Sequence, residues 1–323
     1  MTRLVKVELR RLFARRLTLV GIAGALVIVG LMLFATYKDA QPLSAPEQQR
    51  AQREYEQARA EWERSGPEQI QNCKLTERST LPDGSSPCDH LEPRPEYFGK
   101  PKTVFNEVMP DYLTGLSYLA AFVAFLIGAG FFGAEFSTGS IGNWLTFEPR
   151  RLRVYGSKLL AAAAGPVPIA AVLLAVLTGG CWLIIDHLGT TAGTGWSVLA
   201  GIAWRTVVLA AAAGLLGSVS GGLLRHTAAG IGLAMGYMVI VEGILAHALQ
   251  KSQPWLLKLN VDSWVRHGAK YYVEDCDSAP DGGYFCSSVE KTVSFGHSAT
   301  YLAVVAAAMV LLGALVFRRR DIT

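Results

Sequence analysis

The sequence predicts an all-α polytopic membrane protein with six transmembrane helices and both termini cytoplasmic. Three observations lead there. Apolar residues make up 51% of the chain and charged ones 17%, against about a quarter charged in an ordinary soluble domain. The apolar residues fall into six blocks, 17–36, 111–134, 159–186, 199–223, 227–249 and 298–317, each near the roughly 20 residues that cross a bilayer core as a helix. Cations then mark one side. Arg3, Lys6, Arg10, Arg11, Arg15 and Arg16 precede the first block, and Arg150, Arg151, Arg153 and Lys158 follow the second. Arg225 follows the fourth and Arg318-Arg319-Arg320 the sixth, while the short opposite loop 187–198 has no Lys or Arg. With six spans all these cations share one face, which the positive-inside rule makes cytoplasmic. The net charge of +4 belongs to this topology signal and gives no reason to expect nucleic-acid binding.

Residues 1–16 read as an amphipathic interface helix, with Leu4, Val5, Leu9, Leu12 and Phe13 near helical spacing and cations between them, suited to anionic headgroups. Block 17–36 is a retained anchor, because Thr36-Tyr37-Lys38-Asp39 offers no cleavage site. Residues 37–110 form a large extracytoplasmic segment. Ser44-Ala45-Pro46-Glu47 resembles a capping box, and a helix of strong formers is expected near 45–64. Ala51, Tyr55, Ala58 and Trp62 make one sparse stripe on it, and Ser65-Gly66-Pro67 is expected to stop it. Residues 66–105 read as loop. Residues 111–249 hold transmembrane helices two to five, with a cytoplasmic loop at 135–158. Pro166 and Pro168 predict a kink in the third span. Residues 250–297 form a second extracytoplasmic segment. There, Gln253-Pro254-Trp255-Leu256-Leu257 suggests a short interfacial or re-entrant helix, and Trp255, Trp264, Tyr271 and Tyr272 suit an aromatic belt. Residues 298–323 hold the sixth helix and a basic tail.

Cysteine placement supports the same topology. Cys73 and Cys88 lie in the first outer segment and Cys276 and Cys286 in the second, as expected of disulfides in an oxidising compartment. Pairing within each segment is the simpler expectation, with cross-segment bonding left open. Cys181, inside the third span, reads as a small buried apolar residue. A zinc site from Cys276, Cys286, His267 and His297 matches no familiar ligand spacing, and no metal is expected.

Several motifs decide what the chain does not do. Gly128-Ala129-Gly130-Phe131-Phe132-Gly133 spells GxGxxG, but within a membrane helix and after no strand. Close helix packing is the better reading, as it is for Gly217-x-x-x-Gly221 and Gly232-x-x-x-Gly236. There is no GxxxxGK[ST], no HExxH and no GxSxG elbow, so nothing marks an enzyme. Two ionisable groups lie within spans. Glu242 and Arg205 sit at similar depths in the fifth and fourth helices, and a polar pair between them would offset the roughly 2.5–3.5 kcal/mol that a lone charge there costs. Glu135 ends the second helix, where it could meet Arg150, Arg151 or a cation on a docked partner. The segment 133–158 is too polar for lipid and too short for a domain, which makes it a handle for a soluble partner.

Four pieces together resemble the membrane subunits of ATP-binding-cassette (ABC) exporters of the second type, permeases paired with a separate ATPase. They are the basic interface helix 2–15, the Gly133-Ala134-Glu135-Phe136-x-x-Gly139-x-Ile141 handle running into Pro149-Arg150-Arg151-x-Arg153 and Lys158, the Gly221-Gly222-Leu223-Leu224-Arg225 turn leading to Val241-Glu242, and the C-terminal Phe317-Arg318-Arg319-Arg320-Asp321. The resemblance implies a permease of a cell membrane, such as the bacterial cytoplasmic membrane, acting as an exporter of a hydrophobic or amphipathic substrate. It implies a second permease copy or a homologous permease, and cytoplasmic ABC ATPase subunits that carry ATP and Mg. The coupling helix would fall near Glu135–Leu145, with Glu135, Phe136, Ser137, Thr138, Gly139, Ser140, Ile141, Arg150 and Arg151 as contacts. The cysteine-bearing segment 37–110 departs from relatives that keep only a short link there. The alternative is a membrane-anchored receptor or scaffold whose outer segments bind an extracytoplasmic partner.

Overall fold

The computed structural model describes residues 2–76, 88, 91–147, 150–246, 250–278 and 284–319. Most of them are helical, and six helices are long and apolar enough to cross a membrane: Arg16–Ala40, Phe105–Ser137, Arg151–Leu188, Trp196–Leu224, Thr227–Leu245 and Phe295–Arg319. Each contains or overlaps one of the six apolar blocks. We label the elements α1 (Thr2–Phe13), α2 (Arg16–Ala40), α3 (Ala45–Thr76), α4 (Pro95–Phe98), α5 (Phe105–Ser137), α6 (Ser140–Phe147), α7 (Arg151–Ala164), α8 (Pro166–Leu188), α9 (Trp196–Leu224) and α10 (Thr227–Tyr237). A π-helical segment, Met238–Leu245, extends α10; α11 (Leu257–Arg266), β1 (Ala269–Ser278), β2 (Tyr284–Val293) and α12 (Phe295–Arg319) complete the chain.

The chain divides into two compact units, Met1–Phe34 with Asn106–Trp182 and Gly193–Thr323, and Ala35–Phe105 with Leu183–Ala192. In the first, α7, α9 and α12 pack on one another, α1 lies on α7, and α11 lies on α9 and α12. The GxGxxG run serves helix packing. A Cβ on Gly128 would strike the backbone of Gly214 and Ser218, and one on Gly217 would strike Phe125. Only glycine lets α5 and α9 approach this closely. Gly232 and Gly236 behave otherwise, for nothing of this chain lies within 4 Å of a Cβ at either. The expected kink site is where the third span divides: Pro166 cannot donate to Ala162, so α7 ends and α8 begins around Gly165. An aromatic core of Phe132, Ile141, Tyr155, Leu159, Val219 and Phe317 ties α5, α6, α7, α9 and α12 together, with the Tyr155 hydroxyl donating to the Val310 carbonyl at 3.0 Å.

In the second unit the capping box forms as read. Glu47 Oε2 accepts from the Ser44 amide at 2.8 Å and from its hydroxyl at 2.5 Å. The expected stop at Ser65-Gly66-Pro67 fails. α3 continues through Pro67 to Thr76, because a helix loses one hydrogen bond at a proline without having to end. Gly66 also lies directly under the Trp62 ring, where a Cβ would come within 2.7 Å. The extended helix carries Cys73 to its partner Cys88, with which it is bonded. Predicted loop residues 77–87, 89 and 90 lie outside the described residues. A parallel bridge joins Val104 to Thr190.

Where a short helix is expected from Gln253, the segment 250–297 has a 3-10 turn, Gln250–Trp255, with Pro254 inside it, and α11 follows from Leu257. The segment also holds a structure not expected from the sequence, an antiparallel hairpin of β1 and β2. Its register places Cys276 opposite Cys286, and Cys286 is disulfide-bonded. Cys181 is buried and outside any disulfide. His267 stacks on Phe295 and His297 meets the Pro254 carbonyl. Among the described residues, no group of three or more His, Cys, Asp and Glu could hold a metal.

Candidate functional site

The predicted handle begins where α5 stops. Hydroxyls of Ser137 and Thr138 turn back to the Ala134 carbonyl at 3.0 and 2.8 Å, and Gly139 takes a left-handed φ of +69°, the usual glycine at a helix C-terminus. α6 then starts at Ser140. Ser137, Thr138 and Gly139 are exposed. Ile141, by contrast, is buried in the aromatic core, and Phe136 packs on Phe132 and Phe317 at ring distances of 5.3 and 6.3 Å. The handle therefore has an exposed tip and an apolar root. Arg150 stands at the N-cap position of α7 without a capping side-chain bond and is exposed, and Arg151 is half-buried. Pro149, Arg320 and Asp321, parts of the same resemblance, lie outside the described residues.

Glu135 is not part of the exposed tip. Its side chain is 1% exposed and is enclosed by three cations, none of them Arg150 or Arg151. Lys158, 0% exposed, reaches it at 2.5 Å and reaches Glu8, 2% exposed, at 3.0 Å. Arg11 and Arg15 approach the other Glu135 oxygen at 3.3 and 3.1 Å. Arg15 also donates to the Gly130 carbonyl at 2.8 Å, and Lys158 lies 5.1 Å from the centroid of the Phe131 ring. Burial pushes the Arg15 guanidinium below its ordinary value, while Glu135 pulls it back up. Three cations and two carboxylates thus form an ionic cluster, buried at Glu8, Glu135 and Lys158 and open to solvent at Arg11 and Arg15, that holds α1, α5 and α7 together. Burial of such charges is tolerated only when each is paired.

The sequence offers Glu135 three partners, Arg150, Arg151 or a cation on a docked subunit, and the cations it meets are Arg11, Arg15 and Lys158 instead. Glu8 carries no expectation from the sequence, and Lys158 counts there as a topological cation and as the end of the handle. The available signal was that Glu8 is the one acid among the cations of residues 1–16. It stands one helical turn before Leu12, which is fully buried, so it shares the face turned inward.

The proposed Arg205–Glu242 pair does not form. Glu242 lies in the π-helical segment and accepts from the Leu257 and Lys258 amides at 2.7 and 3.2 Å and from the Tyr237 hydroxyl at 2.9 Å. Those amides are the first two of α11. The carboxylate therefore caps a helix N-terminus, where unpaired donors and the helix dipole favour an anion. Arg205 instead donates from Nε to the Gly201 carbonyl at 2.7 Å. Similar depth did not make a pair, since α11 supplies Glu242 with better donors. Of the expected belt, Trp255 and Tyr272 are exposed, and Trp264 packs between Trp204 and Phe295.

No protein-family model matches the chain, and no curated protein or solved structure matches it.

Proposed function

We propose that the chain is the permease subunit of an ATP-driven ABC exporter, working with a second permease copy or a homologous permease and with cytoplasmic ATPase subunits. The observation that carries this reading is the handle: a short helix between two apolar spans, with an exposed tip at Ser137–Gly139 and a root buried in the core. A soluble subunit moving the tip would displace Ile141. Because Ile141 packs with Phe132, Tyr155 and Phe317, the push would reach α5, α7 and α12 together. The ionic cluster behind the handle ties the interface helix α1 to α5 and α7, so α1 would move with them. On this reading the cation-bearing ends are cytoplasmic, and α3 and the hairpin lie outside. ATP and Mg reside on the partner, and this chain contributes the path for a hydrophobic or amphipathic substrate.

Replacing Thr138 with cysteine in native membranes tests the assignment, since Cys181, the cysteine outside a disulfide among the described residues, is buried. A thiol cross-linker is expected to join Thr138→Cys to a P-loop ATPase. Cross-links only to proteins of the opposite membrane face would overturn it. The alternative, a receptor or scaffold, is favoured by one feature, the long and mostly exposed α3 with its disulfide anchor at Cys73. It predicts an extracytoplasmic partner bound to α3 and no ATPase.

A further inference from the structure

Among the described residues Arg205, a cation within an apolar span, has no counter-charge in ion-pair reach. Arg205 stands in α9, a helix apolar enough to cross a membrane, and is only 5% exposed. Its Nε is bonded to Gly201, but its Nη1 is buried without any partner. Among the described residues no carboxylate lies within ion-pair distance of it. Glu242, the acid expected there, is occupied by the start of α11, and Asp111 is held by Arg266 at 2.8 Å. Around the guanidinium are rings: Phe295 at 5.9 Å, with Trp264 stacked on it. A guanidinium is a rigid fork of donors suited to a phosphate or carboxylate. Leaving one buried and uncompensated in a membrane span is unfavourable enough that such residues usually mark a substrate path or ligand site.

We propose that Arg205 anchors a site for a net-anionic phosphate headgroup, with α11 covering it in this conformation. Trp264 on α11 donates its indole N–H to the Arg205 backbone carbonyl at 3.0 Å and stacks on Phe295, the ring beside the guanidinium. That single bond, the Glu242 cap and the exposed Arg266–Asp111 contact are polar ties that lifting α11 would break. On the same helix Trp204 and Val208 are exposed, offering the apolar surface that an acyl chain needs. The phosphate could belong to a bilayer lipid or be free in solution. The inference does not depend on pairing with an ATPase.

Native mass spectrometry of the full chain in nonionic detergent tests it, with phosphatidylglycerol, phosphatidylcholine or inorganic phosphate added. The wild type is expected to retain one phosphatidylglycerol at least about tenfold more tightly than phosphatidylcholine. Arg205→Gln is expected to lose that preference and Arg205→Lys to keep part of it. Arg205-dependent retention of inorganic phosphate alone supports the site and makes its ligand a soluble anion. Equal retention of both lipids by the wild type, with no phosphate adduct, overturns the proposal. So does an unchanged preference in Arg205→Gln. The wild-type comparison uses no variant, so a folding defect in Arg205→Gln leaves the test decisive.

Discussion

Replacing Lys158 with methionine keeps most of the length of the side chain and removes the fully buried one of the two cations, Lys158 and Arg11, that bridge both buried carboxylates. Lys158 is fully buried, 3.0 Å from Glu8 and 2.5 Å from Glu135. After the change Glu8 keeps only Arg11, at 3.7 Å, while Glu135 keeps Arg11 and Arg15. Removing one partner from a buried ionic group costs about 3–5 kcal/mol, because the remaining charge stays desolvated. Arg11 is 34% exposed, and its replacement by glutamine leaves Glu135 two cations, so that change costs about 0.2–1 kcal/mol. Tryptophan fluorescence during thermal unfolding in detergent is the assay. Lys158→Met should lower Tm by roughly 6 °C or more, several times the effect of Arg11→Gln. Adding Glu8→Leu to Lys158→Met should recover part of the loss, since the worst-stranded anion goes with its partner. Equal shifts for Lys158→Met and Arg11→Gln, or no recovery in the double variant, would refute the idea of a desolvated, mutually dependent cluster.

Other consequences are open to simple measurement. The Ser44 hydroxyl and amide hold the Glu47 carboxyl below its ordinary value. A depressed folded-state value contributes stability above the unfolded value, which is lost as pH falls through the folded one. Hydrogen exchange in the first turn of α3 should therefore accelerate as pH falls below the ordinary carboxylate range, beyond the intrinsic rate change, and Glu47→Gln should abolish the dependence. Opening the Cys73–Cys88 bond, which closes a separation of 15 residues, should remove roughly 3 kcal/mol of constraint on the chain and expose the end of α3 to protease. Gly217→Val should prevent stable folding, because its side chain would strike the Phe125 backbone. Gly232→Val should leave the fold of a single chain intact, and any loss of dimer cross-linking would place α10 against a second copy.

The spans were legible because a run of about 20 apolar residues has few alternatives to a bilayer-length helix. The capping box was legible too, since Ser44 and Glu47 are local partners. What escaped depended on partners far apart in sequence. Glu8 and Lys158 are separated by 150 positions, and nothing local distinguishes a cation that will be buried from one that anchors topology. Arg205 and Glu242 were matched by depth alone, which ignores a third element able to supply better donors. α3 passed its expected stop because a proline costs a helix one bond, and Cys73 gives the extra turns an attachment. The hairpin was hidden because its apolar alternation is carried by few positions, chiefly Val273 opposite Val289. Much of its pairing is polar, as in Glu290 with Lys270 at 2.9 Å and with Tyr272 at 3.0 Å.

The central claim is tested most directly by purifying the tagged chain from its native membranes in mild detergent and identifying by mass spectrometry what accompanies it. The account predicts a P-loop ATPase in stoichiometric amount, lost when Ser137–Ser140 is deleted and retained in Arg205→Gln. A folded chain that purifies with no ATPase, or one whose ATPase persists after that deletion, would contradict it.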